Sequence, residues 1–511
     1  MIFLKYFDNK LQTNQSQAIE RGKIFDRNGV LLASTIKSYS LFAHPKKIKN
    51  VNKLSDNLEK ILLIPNKKIK SKLLKNTKFV WLKRNISPRQ HQQIINLGNI
   101  GLQTKIEKIR LYPHNNIISH VVGFTNIDGK GLSGIESGLD NKLSSGEDVQ
   151  LSIDIRLQDS VRNEMITILE KFSAESGLSI ILDITNGEIL SMVSYPDFNP
   201  NFLDKILPEN QFNSATQGVY DMGSTFKPLT VAIGYDKKII NSNMLFDVSK
   251  PIKFGKYSIN DYSPYKGKLD VKDIIVKSSN IGAAKIAKKI GKENQIEYFK
   301  KFGFFDKIDL EINETAKPLV PQNWKVLETM TIGYGYGFAI TPLHLCKAYA
   351  SIVNDGFKVY PTLLINRDIM RLKKIVNTST SKQVTRLLRS VVLETKYTGP
   401  LVKINGYELG GKTGTAELLT NHGYSSNSNL ASFISIFPIS KPKYLVLAMI
   451  KDPKKIKETN YNNTGGWVAA PLVKKIILNM IKIYGIPSTS EKNILKASND
   501  KFIIKNKNAT F

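Results

Sequence analysis

The feature that most constrains the fold is a set of strand-like segments at two distant places in the chain. Two of them, 178–184 and 188–195, flank Thr185-Asn186-Gly187, which predicts a hairpin. Three more, joined by short turns at 421–423 and 441–443, lie in the last third: 407–419, 430–439 and 444–450. Residues 222–400 between the two groups have mostly helical periodicity. The pattern predicts an α+β domain, with an antiparallel sheet flanked by helices and assembled from sequence-distant pieces.

The N-terminal part has a different pattern. Two apolar runs surround Asn28-Gly29, which predicts a hairpin. Residues 45–110 are rich in lysine with helical spacing and indicate small helices on an irregular α+β module, whereas the glycines of 123–146 favour loops between two domains. We therefore expect four parts: a lead-in (1–20), an N-terminal module (21–149), a larger domain (150–486) and a polar, disordered tail (487–511).

Composition excludes several kinds of site. Lys plus Arg number 74 against 43 Asp plus Glu, a net charge of +31 that is compatible with a nucleic-acid partner. The lysines are spread along the whole chain, so we favour solvated surface lysines and expect no nucleic acid. Cys346 is the single cysteine and the six histidines are scattered. No intramolecular disulfide is possible, and neither a metal nor another cofactor is expected.

No window of 18 apolar residues occurs, and the apolar opening MIFLKYF ends at Asp8. We therefore expect one of two situations: the protein is soluble, or its N-terminal membrane anchor is missing from this sequence.

The first chemical pattern is S-x-x-K, in which a lysine one helical turn from a serine can take its proton. It occurs six times, starting at Ser34, Ser224, Ser263, Ser379, Ser440 and Ser498, as a lysine-rich chain produces by chance. Only Ser224 has Gly223 before it and a helix with an apolar face after it, whose start is marked by Pro228. We therefore expect Ser224 to be a nucleophile activated by Lys227, and the other five serines to lie on the solvated surface.

Two further patterns follow in order. Ser278-Ser279-Asn280 is weak by itself, because S-x-N recurs and is a common helix cap. Lys412-Thr413-Gly414 occurs once and is followed by Thr415, in a predicted strand after Gly410-Gly411. Glycine in an edge strand leaves space for another backbone to lie alongside. The three patterns follow one another along the chain, at a helix start, in a loop between helices and in a strand. This trio is typical of β-lactamases and penicillin-binding proteins.

From Arg21 to about Gly485 the chain resembles class B penicillin-binding proteins, most closely the division-specific septal transpeptidase type. The segments that carry the resemblance beyond the trio are RGKIFDRNG (21–29), Arg110, Tyr112-Pro113, His120, Gly123, Gly134-Ile135-Glu136, TIGYGYGFAITPLHLCKAYASIVNDG (331–356) and GGWVAAPLV (465–473). The Gly-Tyr-Gly motif in 331–356 resembles the division enzyme more than the elongation enzyme. Asp221-Met222 stands where the family often has proline, a departure that we expect to be harmless.

The resemblance implies an activity. Ser224 would attack a stem pentapeptide with Lys227 as base, and Ser278 with Lys412 would protonate the leaving D-Ala. Asn280 would orient the substrate amide, and the segment Thr413-Gly414-Thr415 would bind its terminal carboxylate. An amine acceptor would complete a cross-link in peptidoglycan, while β-lactams would acylate Ser224 and stay.

The resemblance also implies surroundings. The family is anchored in the bacterial inner membrane with its catalytic domain in the periplasm, and it works with a lipid-linked glycan polymerase and other division proteins. A D,D-carboxypeptidase or β-lactamase on the same residues stays open, although a β-lactamase needs no N-terminal module. A non-catalytic β-lactam sensor or division scaffold is the more distant alternative.

Overall fold

The computed structural model describes residues 19–255, 257–366, 373–396, 398–420 and 423–488. Most of the expected lead-in, residues 489–511 of the expected tail and two residues of the expected turn at 421–423 lie outside these ranges. Within them, no helix is both long and apolar enough to cross a membrane.

The N-terminal module is built on a long, bent strand that pairs with three others. Its strands are β1 Ile24–Phe25, β2 Leu31–Ala43, β3 Val80–Ile86, β4 Leu102–Leu111 and β5 Val149–Gln150. Its helices are α1 Val51–Leu62, α2 Asn66–Leu73, α3 Pro88–Asn96, α4 Ser119–Val122, α5 Gly134–Gly138 and α6 Asp140–Ser144. β2 pairs antiparallel with β1, β3 and β4, and β5 runs parallel to β1.

The hairpin expected at Asn28-Gly29 is confirmed, since β1 and β2 pair across it. The small helices expected in 45–110 are present, but β3 and β4, which were not expected there, lie in the same stretch. Both strands take their backbone partners from β2, which is distant in sequence, so local periodicity does not reveal them. The loops expected over 123–146 also contain α5 and α6.

A buried ionic cluster closes this module. Glu136 on α5 is fully buried and accepts hydrogen bonds from Arg21 Nε at 2.7 Å and Arg110 Nε at 2.6 Å. Arg21 also donates to Asp140 on α6 at 2.7 Å. The chain entering β1, the end of β4 and α5 therefore share one carboxylate.

The larger domain has its sheet at the two ends of its sequence. Its strands are β6 Ser176–Asp183, β7 Ile189–Tyr195, β8 Phe246–Asp247, β9 Ile252–Phe254, β10 Tyr257–Ile259, β11 Lys268–Leu269, β12 Gly410–Thr420, β13 Gly423–Phe437 and β14 Tyr444–Lys451. The main sheet has the antiparallel order β12-β13-β14-β6-β7, so the sheet of sequence-distant pieces and the hairpin around Gly187 are confirmed. β8–β11 form two small ladders inside the stretch expected to be mostly helical.

The helices of this domain cover both faces of the sheet. They are α7 Ile155–Lys171, α8 Lys227–Asp236, α9 Val271–Val276, α10 Asn280–Ile290, α11 Lys292–Phe302, α12 Val326–Ile332, α13 Pro342–Val353, α14 Thr378–Glu394, α15 Thr398–Val402 and α16 Ala469–Tyr484.

Strand alternation divides the core into two layers. Ile180 and Leu447 point into the larger apolar cluster, together with Phe226 and Leu229 at the start of α8. Ile181 packs on the opposite side of the sheet, in the cluster that holds the apolar faces of α7 and α16. α8 is thus buried in the middle of the domain, and its N-terminal end lies beside the edge strand β12.

Candidate active site

Ser224 lies in a tight turn that leads into α8. Residues Gly223–Phe226 form one turn of 3₁₀-helix, and α8 begins at Lys227 with Pro228 in its first turn. The structure therefore places Ser224 at a helix start, as its sequence context predicts. Gly223 has φ +52°, and its N–H donates to the carbonyl of Gly335 at 3.1 Å. A Cβ on Gly335, whose φ is +93°, would lie only 2.1 Å from the Gly223 oxygen, so glycine is required there.

Lys227 is fully buried beneath the partly exposed Ser224. Its Nζ lies 3.0 Å from Ser224 Oγ and 3.1 Å from Ser278 Oγ, and it donates to the Ser278 carbonyl. Burial lowers the pKa of Lys227 well below its usual value, the charge of Lys412 lowers it further, and Asp261 opposes the shift. A lysine that loses its proton readily next to a hydroxyl has the properties of a general base.

Ser278 lies between α9 and α10 in a left-handed conformation, with φ +57°. Its neighbour Ser279 caps α10, accepting the N–H of Gly282 at 2.9 Å and donating to Asp261 at 2.8 Å. Asp261 also accepts the N–H of Ile281 at 3.0 Å. The carboxylate therefore holds this turn in the strained conformation that directs the Ser278 hydroxyl at the two lysines.

Asn280 is the first residue of α10 and is partly buried. Its side-chain amide donates to the carbonyl of Asn260 at 3.0 Å. The side chain is thus held at the rim of the site by the segment that carries Asp261.

Lys412 enters the site from the edge strand β12. Its side chain is 1% exposed, and its Nζ lies 3.0 Å from Ser278 Oγ and 3.1 Å from the Thr413 carbonyl. Burial lowers the pKa of Lys412 to about 7. Gly414, the next residue on the same face of the strand, packs against the nucleophile turn. A Cβ there would lie 2.3 Å from Ser432 Oγ and 2.8 Å from Thr225 Cγ2.

Thr413 and Thr415 alternate with Lys412 and Gly414 along β12, and Thr413 Oγ1 lies 3.5 Å from Lys412 Nζ. Thr415 Oγ1 accepts the N–H of Gly465 at 3.1 Å, just before α16. Both threonines are partly exposed. The structure thus brings Ser224, Lys227, Ser278 and Lys412 into one hydrogen-bonded group, while the threonines line the adjoining edge and Asn280 the rim.

The remaining S-x-x-K serines have no such surroundings. Ser263, Ser379 and Ser440 are exposed, as expected. The expectation is wrong for Ser34, which lies in β2 and is buried. Ser498 lies outside the described residues.

Sequence reasoning missed two contributors to the site. Asp261 is an isolated acid in a segment without clear periodicity, and its partners become neighbours only through folding. Tyr336, in the quoted Gly-Tyr-Gly segment, accepts the N–H of Glu417 at the end of the K-T-G strand at 3.2 Å. The repeated Gly-Tyr pattern is a signal for close backbone packing, although it does not reveal the partner.

The described part of the chain contains no group of three His, Cys, Asp or Glu side chains able to hold a metal ion. The group that is present consists of two hydroxyls and two buried lysines, each within hydrogen-bond distance of the next. Such a chain can activate one hydroxyl and move its proton to a leaving group.

Comparison with known proteins places this geometry in a family. Residues 177–478 match the penicillin binding protein transpeptidase domain, and residues 16–154 match the penicillin-binding protein dimerisation domain. The probable peptidoglycan D,D-transpeptidase FtsI of Caulobacter vibrioides is 30% identical, covering 93% of this chain and 84% of its own. The peptidoglycan D,D-transpeptidase FtsI of Escherichia coli is 28% identical, covering 94% and 87%.

Solved structures confirm the α+β fold. Penicillin binding protein 3 of Mycobacterium tuberculosis, complexed with aztreonam, has a TM-score of 0.73 at 22% identity, covering 92% of this chain and 97% of its own. A peptidoglycan synthetase of Bifidobacterium adolescentis has a TM-score of 0.72 at 19% identity, covering 92% and 96%. The family expected from the S-x-x-K, S-x-N and K-T-G trio is therefore confirmed: the chain belongs to the penicillin-binding protein transpeptidases.

Proposed function

We propose that this chain is a peptidoglycan D,D-transpeptidase that works through an acyl-enzyme on Ser224. The observation that carries the proposal is the position of the buried Lys227 Nζ, 3.0 Å from Ser224 Oγ. The relatives named above as FtsI are peptidoglycan D,D-transpeptidases by name, and they match the chain over nearly its whole length.

In the first half-reaction Ser224 Oγ attacks the carbonyl carbon of the penultimate D-Ala of a stem pentapeptide. Its proton passes to Lys227 Nζ, which burial keeps ready to accept it. The negative charge on the carbonyl oxygen is held by the backbone N–H groups of Ser224 and Thr415. Donors of this kind contribute about 3–4 kcal/mol each where they have been measured.

The leaving group needs a proton when the C–N bond breaks. Ser278 Oγ lies within 3.1 Å of Lys227 Nζ and 3.0 Å of Lys412 Nζ, so it can donate its proton to the departing amine and be reprotonated by either lysine. Terminal D-Ala leaves with a neutral amine that is protonated in solvent, and the acyl group stays on Ser224.

The edge of β12 supports the substrate backbone. An extended peptide can pair with this edge strand as an additional strand, and Gly414 keeps its packing close to Ser224. Thr413 and Thr415 then bind the terminal carboxylate through their hydroxyls, and Asn280 orients the peptide amide from the opposite rim.

In the second half-reaction an amine of a neighbouring stem attacks the acyl carbon. Its proton returns through the lysine–serine group, the Ser224 ester bond breaks and a new amide cross-link forms. A β-lactam acylates Ser224 in the same way, but its ring remains attached after the amide opens and occupies the acceptor position. The route requires no cofactor.

The setting of the reaction follows from the substrate. Peptidoglycan lies outside the bacterial inner membrane, so the proposed enzyme works on its periplasmic face, held there by a membrane anchor. The FtsI relatives support a role at the division septum. A lipid-linked glycan polymerase and other division proteins are its proposed partners, because cross-linking needs newly made strands.

The decisive experiment is labelling with a fluorescent penicillin. Ser224→Ala removes the hydroxyl proposed to be acylated, so labelling should be lost, while Ser263→Ala, an exposed serine in another S-x-x-K pattern, should label like the wild type. Labelling that persists in Ser224→Ala would exclude Ser224 as the nucleophile.

Incubation with a pentapeptide donor and an amine acceptor separates the activities. Cross-linked product identifies a transpeptidase. Release of D-Ala without cross-linked product would instead indicate a hydrolase, and labelling without any peptide turnover would indicate a sensor or scaffold.

A further inference from the structure

A second cavity lies away from the serine–lysine group. Its volume is about 230 Å³, and it is enclosed by the end of α11, helix α13, the β6–β7 turn and the segment 358–362. None of the residues of the serine–lysine group lines it. The residues that form its wall are Ile184–Gly187, Lys300, Gly303, Asp306–Asp309, Lys347, Asn354 and Lys358–Thr362.

The unusual member of this wall is Lys347 on α13. The residue is 9% exposed, and its Nζ forms no hydrogen bond or ion pair with any residue that the structure describes. Nζ lies over the ring of Tyr360, 6.0 Å from the ring centroid. A Cβ on Gly303 would lie 3.0 Å from Lys347 Nζ, so the absence of a side chain at that position leaves space for the ammonium group.

An ammonium group that faces an enclosed cavity without a hydrogen-bonded carboxylate is costly to keep charged. Burial lowers the pKa of Lys347 to about 8, helped by the charge of Lys358 and opposed by Asp306 and Asp309. The group therefore still carries its charge at neutral pH. A protein that retains such a charge in a cavity has a site prepared for an anion.

The rest of the wall supports an organic anion. Lys300, Lys307 and Lys358 add three positive charges against the two of Asp306 and Asp309, so the lining is basic in sum. Apolar surface comes from Ile184, Ile308, Val359, Tyr360 and Pro361. Such a combination suits a small molecule with one anionic group and a short carbon body.

We propose that this cavity binds a small organic anion, a carboxylate or a phosphomonoester, with Lys347 as the residue that pairs with its charge. The site lies on the helix that also holds the nucleophile turn, because Tyr349 on α13 donates a hydrogen bond to the Thr225 carbonyl at 2.6 Å. The proposal does not depend on the transpeptidase reaction.

The test is thermal unfolding of the full chain at constant ionic strength with succinate, glycerol 3-phosphate or inorganic phosphate, and with neutral glycerol as the reference. A ligand that binds only the folded protein raises its Tm in a saturable way, here by about 2–4 °C. If only succinate raises the Tm, the site prefers a carboxylate. If only the phosphates raise it, the site prefers a phosphate group.

Variants locate the binding. Lys347→Met should abolish the shift, whereas Lys412→Met, in the serine–lysine group, and Lys382→Met, an exposed lysine on α14, should retain it. No shift with any anion, a shift that survives in Lys347→Met, or one that disappears in Lys412→Met would overturn the proposal. Should Lys347→Met fail to fold, Lys358→Met replaces it: a weakened shift supports the site, and an unchanged shift counts against it.

Discussion

Lys227 and Lys412 approach the same hydroxyl from different elements: their Nζ atoms lie 3.1 Å and 3.0 Å from Ser278 Oγ. Two ammonium groups this close repel each other, and burial adds to the cost of charging both. The pKa of Lys412 falls to about 7, and that of Lys227 falls well below its usual value. The group therefore holds fewer protons than two surface lysines would, which suits proton transfer.

Lys412→Met should change the pH dependence of acylation. Lys227 accepts a proton only when neutral, that is, above its pKa, and the charge of Lys412 lowers that pKa. Removing the charge raises the pKa of Lys227, so the acid limb of the acylation rate should move up by about one pH unit, besides the loss of rate. Penicillin acylation rates measured across pH test this, with Lys382→Met as control. A limb that stays or moves down contradicts the proposed coupling.

Asp261→Asn should shift the same limb in the opposite direction. The carboxylate raises the pKa of Lys227, so its removal lowers that pKa and moves the acid limb to lower pH. Acylation should also slow, since Asp261 holds the Ser278–Ser279 turn. Asp270→Asn, which changes the N-cap of α9, is the matched control and should leave the limb in place. If the acylation rate has the same pH dependence in both variants, Asp261 does not influence the pKa of Lys227.

Gly335→Ala should disable the nucleophile turn. Its new Cβ would lie 2.1 Å from the carbonyl oxygen of Gly223, next to Ser224. We expect the acylation rate to fall at least 10-fold, equivalent to about 1.4 kcal/mol or more. Gly337→Ala is the control, because Gly337 has a similar φ of +83° but its nearest neighbour would lie at 3.6 Å. Similar losses in the two variants would mean that backbone strain, rather than the contact with Gly223, is responsible.

Glu136→Gln should destabilise the N-terminal module. The fully buried carboxylate pairs with both Arg21 and Arg110, and a neutral amide leaves the buried charge of Arg110 without a carboxylate, while Arg21 keeps Asp140 alone. Breaking a buried pair in this way costs roughly 3–5 kcal/mol. Denaturant unfolding measures the loss. Glu297→Gln, whose partners Lys237 and Lys301 lie at the surface, should cost less than about 1 kcal/mol. If Glu136→Gln also lowers the free energy of unfolding by less than about 1 kcal/mol, the ionic cluster does not stabilise the module.

Features with a local cause were predictable from the sequence. The hairpins at Asn28-Gly29 and around Gly187 depend on turn residues, and the strands of the last third depend on short apolar runs joined by short turns. The start of α8 depends on Pro228 and the apolar residues that follow it. The chemical trio could be selected because its members occur in order on the element types that they require.

Features that depend on residues distant in the sequence were not predictable from it. β3 and β4 lie in the lysine-rich stretch 45–110 and become strands because β2 supplies their backbone partners. The left-handed turn at Ser278 depends on Asp261, and the low pKa of Lys227 depends on burial together with Lys412, 185 positions away in the printed numbering. The unpaired charge of Lys347 likewise exists only because folding encloses it.

The sequence by itself determined the family, the order of the three catalytic patterns and the identity of the serine and lysines, since these follow from residue type and spacing. Tertiary structure alone decided that Ser224, Lys227, Ser278 and Lys412 meet within hydrogen-bond distance and that their lysines lose charge readily. The physical reason is that desolvation and Coulomb interactions depend on distances in space, whereas the amino-acid sequence gives only the separation of residues along the chain.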